Sequence, residues 1–301
     1  MQEQIMTQMG SGVPDMAEIQ AQQEAMLKAA GVDPAVVAQA GMQNMAFAQQ
    51  MMQEAMDGTL GKGLSSSDAM AQMMEAFGDD GWTINRSETG KLDAEQLRLL
   101  AFGAPMLVYN DEKVDSLADD EDVETIKCTL KDWWNVTDRE STLDIVKWLL
   151  EEGHHAEADE ALAEIHKRRI ENISQEERCD EESKMGDVCL IMESMLENGW
   201  CPKGQMPDSV IAWDLVRVVN LGRWAYLCGY VNEDEMWQIM QVAADIALEH
   251  FSSWEEYGRS FIMGRGVWHG EPVDSETAYE IVELLLENDE SPWKQSSFRA
   301  K

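Results

Sequence analysis

From residue 79 onward, apolar residues recur at helical intervals and are punctuated by short polar or glycine-bearing stretches. Residues 92–109 are mostly apolar and predict a helix kinked at Pro105, whose ring removes a donor and crowds the preceding turn. The acidic stretch LADDEDVE enters a second helix that runs to Trp133 and Trp134. Thr137 and Glu140 form a T-x-x-E capping box. Leu143, Val146, Trp148, Leu149 and Leu150 follow on the next helix, which stops at Gly153. Asn232 with Glu235, and Ser252 with Glu255, repeat that start signal ahead of two further helices. Gly229 closes the AWDLVRVVNLGRWAYLCG helix, and a last helix over 276–286 precedes a polar tail, 291–301. Strand alternation is nearly absent, so the pattern predicts an all-α multi-helix bundle.

The first 78 residues read differently. They hold 13 of the 21 methionines, many Gln and Ala, and no Trp, Tyr, His or Cys. Asp33-Pro34 is an N-cap followed by proline at the first helical position, and Gly58 ends that helix. After SSSD, Met70, Met73, Met74 and Phe77 share one helical face. This predicts a Met/Gln-rich helical N-terminal leader (1–78) ahead of an acidic helical domain (79–290). Its methionine face suits docking on the main domain, self-association, or varied apolar partners.

Charge narrows the function classes. The chain has 58 acidic and 23 basic residues, a net charge of −35, of which −7 lies in residues 1–78 and −28 beyond. Such a field disfavours nucleic acid and anionic membrane, which are held through Lys and Arg. It attracts a basic protein partner and speeds its encounter; solubility alone is the other reading of the same charge. No apolar run is long enough to span a bilayer. The opening MQEQIMTQMG lacks a basic and an apolar signal-peptide region. Five cysteines without a C-x-x-C pair read as reduced thiols, which together indicate a cytoplasmic protein.

Chemistry concentrates on two helical stripes. Trp213, Arg217, Asn220 and Trp224 fall on one face; Trp254, Gly258, Phe261, Arg265 and Trp268 fall on another. Facing each other, they would form an aromatic slot with guanidinium groups on its floor, suited to a carboxylate, phosphate or planar ligand. The same residues also suit internal ion pairs: Asp214 with Arg217 at i, i+3 and Glu255 with Arg259 at i, i+4. Asp138 and Glu140 sit in a first turn, favoured by the helix dipole. His154 follows a helix end, where an imidazolium can satisfy terminal carbonyls. His155, Asp159 and His166 share a face without a metal-site pattern, so neither a metal nor a cofactor is expected. No P-loop, dinucleotide loop, nucleophile elbow or EF-hand is present.

The order WNVTDRE, WLLEEGH, AWDLVR, R-W-x-Y-x-x-G-Y and SWEEYGRSF-x-x-GR resembles the bacterial domain-of-unknown-function 1266 family over roughly residues 92–270. Matching positions are Arg139, Glu140, Gly153, His154, Trp213, Asp214, Arg217, Arg223, Trp224, Tyr230, Trp254, Arg259 and Arg265. The resemblance implies a helical bacterial domain and carries no catalytic assignment. Two functions therefore stand as expectations. The first is a non-enzymatic cytoplasmic protein that binds a basic partner, for instance an inhibitor or immunity protein of a cationic toxin. The second is an enzyme or small-molecule sensor in which Arg217, Arg223 and Arg265 hold an anionic ligand while Asp214, Glu140 or His154 handles protons.

Overall fold

The structure, a computed structural model, describes residues 81–299 other than 89, 119–121 and 181. The leader and its methionine face lie outside the described residues. Twelve α-helices succeed one another among those described: α1 (Ala94–Ala101), α2 (Ala104–Tyr109), α3 (Val123–Trp134), α4 (Arg139–Glu151), α5 (His155–Arg168), α6 (Gln175–Arg178), α7 (Lys184–Glu197), α8 (Ala212–Leu227), α9 (Glu233–His250), α10 (Trp254–His269), α11 (Pro272–Glu287) and α12 (Pro292–Gln295). The fold is all-α. Among the described residues the only strand-like pairing is an isolated bridge between Asn85 and Lys113. No described helix is long and apolar enough to cross a membrane.

Local start and stop signals place most boundaries. Asn232 and Glu235 form the capping box of α9, with reciprocal bonds of 3.0 Å. Two other starts fall one residue later than the pattern suggests. Asp138, not Thr137, caps α4 and closes its box with Ser141; Ser253, not Ser252, caps α10. In each case two adjacent residues can cap, and the second is the one whose side chain accepts from a first-turn amide. Gly153 and Gly229 stand at positive φ just past α4 and α8, as the stop signals require. At Pro105 the chain breaks instead of kinking: α1 ends, and Pro105 opens α2, where its missing N–H is harmless.

Helix α8 runs through the centre. Its sequence, AWDLVRVVNLGRWAYL, has no continuous polar face, so it must be covered all round. It packs against α2, α3, α4, α9 and α10. Contact with α10 is backbone-close at Gly264, where a Cβ would lie 2.6 Å from Trp213 Cβ and 2.9 Å from the Val210 carbonyl. Only glycine fits there. A second cluster ties the chain's end to the α1–α2 joint. Trp254 stacks on Trp293 at 5.1 Å, with Phe102, Tyr257 and Phe298 around them. Trp293 and Phe298, within the segment read as a polar tail, are both buried. Their neighbourhood also satisfies the end of α1. Trp293 Nε1 donates to the Ala101 carbonyl at 2.8 Å, Tyr257 Oη to Phe102 at 2.9 Å, and Asn220 Nδ2 to Gly103 at 3.0 Å. Three elements thus supply the donors that a helix C-terminus lacks.

A buried Trp/Arg/Asp centre and its adjoining cleft

Helix α8 carries Asp214, Arg217, Asn220 and Arg223, all buried, at intervals of three residues. Charges in such a place require partners. Asp214, fully buried, pairs with Arg217 one turn on, as the spacing anticipates. Its Oδ2 also accepts from the His154 amide at 3.1 Å, the His155 amide at 2.9 Å and His155 Nδ1 at 2.8 Å. The carboxylate therefore caps the N-terminus of α5 from another helix, where the backbone donors and the dipole favour an anion. Gly153 permits the approach: it has φ +49°, and a Cβ would lie 2.6 Å from Asp214 Oδ2.

The reverse contact exists as well. Asp159, one turn into α5, accepts from the Val210 amide at 2.8 Å and from Ser209 Oγ at 2.6 Å, just ahead of α8. Burial raises the Asp159 pKa against these bonds. His155, Asp159 and His166 therefore face separate partners: Asp214, the Ser209–Val210 turn, and Asp208.

The two aromatic stripes do meet, but the protein's own cations occupy the space between them. Trp213 lies 5.6 Å from Phe261 and 5.3 Å from Trp268. Arg217 sits 4.6 Å from the Trp213 ring centroid and 5.7 Å from that of Trp134. Arg265 lies 4.3 Å from the Tyr109 centroid, 5.8 Å from that of Trp213, and 3.3 Å from Asp274. Desolvation pulls the Arg217 pKa down to about 10 and that of Arg223 to about 9, so both stay charged at neutral pH. Arg223, fully buried, pairs with Glu112.

The structure thus brings Trp213, Asp214, Arg217, Arg265 and His154 together and disperses the remaining candidates. Arg139 is exposed and pairs with Glu235 at 2.7 Å; Glu140 is an exposed first-turn acid. Trp224 is half-buried, Trp254 belongs to the Trp293 cluster, and Arg259 lines a separate pocket with His250 and Glu256. Sequence reasoning missed Glu112, Tyr109 and Asp274 as partners, because nothing local marks a contact between distant helices.

Beyond Trp268 the centre opens into a cleft of about 620 Å³, lined by Trp148, Glu152, His154, Glu157, Lys184 and Trp268 among others. His154 is the N-cap residue of α5; it does not cap the carbonyls of α4. Its ring packs edge-on to Trp148 at 5.2 Å and lies 5.9 Å from Trp268. Desolvation, followed by repulsion from Arg217, lowers its pKa below the ordinary 6.5. The unfolded chain then takes up a proton that the folded one refuses, so stability is present above that value and declines below it. The melting temperature should fall from about pH 7 to about pH 5.5, and His154→Phe should flatten that slope. Asp159, with a raised pKa, acts with the opposite sign but nearer the carboxylate range. Calorimetry across this interval checks the first, and its extension down into the carboxylate range checks the second.

Geometry and sequence together define an all-α domain built round a polar central helix. Residues 129–298 match the family described as "Protein of unknown function (DUF1266)", more than half of the chain, and the chain belongs to that family. The match starts later and ends later than 92–270, and so takes in Trp293. No curated protein and no solved structure shows significant similarity to the chain.

Proposed function

We propose that this protein is a non-enzymatic binding protein whose acidic helical surface recognises a basic protein partner. One observation carries the reading: many of the domain's cations pair with its own carboxylates while most of its acids face water. Arg86, Arg98, Arg168, Arg178, Arg217, Arg223, Arg265 and Lys184 each pair with a carboxylate of the same domain. The excess negative charge is left to act outward, where it steers cationic partners. The cleft supports the same reading. Its indole walls and the acids Glu152 and Glu157 suit an inserted Lys or Arg, and its own Lys184 is held by Asp187 at 2.8 Å. An inhibitor or immunity protein of a cationic toxin, acting in the cytoplasm, would be one instance. The alternative, an anionic ligand in a Trp/Arg slot, loses support because Arg217, Arg223 and Arg265 are already engaged by Asp214, Glu112 and Asp274.

Affinity capture with the full chain at low and high salt tests this. A basic protein should be retained at low salt and released at high salt, since screening weakens exposed charge pairs. Glu152→Lys combined with Glu157→Lys should weaken retention by about tenfold or more. Retention of no basic protein, or retention indifferent to salt, would overturn the proposal.

A further inference from the structure

A second cavity, of about 510 Å³, shares no lining residue with the cleft. Its walls come from the segment before α1, from α1 itself, from the loop after α2 and from the chain's end. Arg86, Arg98 and Arg299 all line it, in a protein with only 23 basic residues. Arg86 and Arg98 precede the part of the chain that matches the family.

Arg98 is the informative residue. It is 6% exposed, and Glu95 holds two of its nitrogens, Nε at 3.0 Å and Nη2 at 2.5 Å. Phe102 lies under the guanidinium at 5.9 Å. The group is therefore fixed in place, yet its Nη1 is buried without a hydrogen-bond partner among the described residues. Buried polar groups are nearly always satisfied, and the residue that carries this orphaned nitrogen lines the cavity, so an acceptor supplied from outside would complete it. Arg299 adds donors at the rim. Its Nη2 caps the end of α9 through the Leu248 and Phe251 carbonyls at 2.9 and 3.1 Å, and it forms no ion pair among the described residues.

The cavity's acids are engaged on one side: Glu95 by Arg98, and Asp115 by Arg86 at 3.0 Å and the Ser87 amide at 2.7 Å. With Glu290 counted, three guanidinium groups meet three carboxylates, so recognition rests on directed donors instead of net charge. A multiply charged phosphate would approach against the −35 field of the whole chain. Leu97, Val114 and Pro292 give the cavity apolar walls, and its volume falls in the range of small-molecule sites.

We propose that this cavity binds a small organic monocarboxylate, its carboxylate on Arg98 and Arg299 and its apolar body against Leu97, Val114 and Pro292. The site is independent of the basic-partner surface. Titration calorimetry and ligand-detected NMR on the full chain, with benzoate, benzamide and inorganic phosphate as probes, test it. Benzoate should bind, and benzamide, which lacks the charge, about tenfold or more weaker; phosphate should bind no tighter than benzamide. Arg98→Lys keeps the charge but loses the Nη1 donor, and should weaken benzoate by about tenfold with helical content unchanged. Should that variant fail to fold, Arg299→Gln at the exposed rim reads the same site and should weaken benzoate several-fold. Equal binding of benzoate and benzamide, binding of phosphate alone, no binding of any probe at millimolar concentration, or benzoate binding indifferent to the substitutions overturns the proposal.

Discussion

Replacing Asp214 by alanine should lower the unfolding free energy by about 3–5 kcal/mol, the usual cost of removing one partner from a buried ion pair. Two losses coincide at this residue. Arg217, 4% exposed, keeps its charge and loses its counterion, and the first amides of α5 lose their acceptor. Cap removal alone is worth about 1 kcal/mol. Asp214→Asn, which retains an acceptor oxygen but no charge, should fall between the wild type and alanine. Urea denaturation resolves the three. Near-normal stability of the alanine variant would mean that the carboxylate is held in place for a ligand instead of for the fold.

Arg223→Met should cost a similar amount, about 3–5 kcal/mol, because Glu112 would be left buried against an apolar neighbour. The second substitution separates pairing from packing. Changing Glu112 to Leu in the same chain removes the stranded charge, and should restore stability to within about 1–2 kcal/mol of the wild type. The Glu112→Leu single variant should be worse than the double, since it takes a carboxylate away from a fully buried guanidinium. A double variant no better than either single one would show that the pair is not the main partner of Arg223.

How much of this was legible beforehand depends on the range of the interaction. Helix identity, the Asn232 box, the stops at Gly153 and Gly229 and the Asp214–Arg217 pair all depend on residues within a few positions of one another, and the pattern carries them. The one-residue errors at Asp138 and Ser253 arise because neighbouring side chains can cap equally well. Periodicity also places Trp213 with Arg217 and Trp254 with Arg265 on common faces. It cannot say that Trp254 is claimed by Trp293 and Phe298 from the chain's last turn, or that Arg223 finds Glu112 more than a hundred residues earlier. For the same reason the slot between the stripes could be anticipated, whereas its filling by Arg217 and Arg265 could not.

The exchange of carboxylates between Asp159 and Asp214 couples two regions of the chain some fifty residues apart. Neither helix start has its full set of acceptors until the other has arrived, so a half-assembled state gains little from either. The junction is a mutual latch: an acid from each helix holds the start of the other, so the cleft's His154 wall and the start of the central helix share one seam.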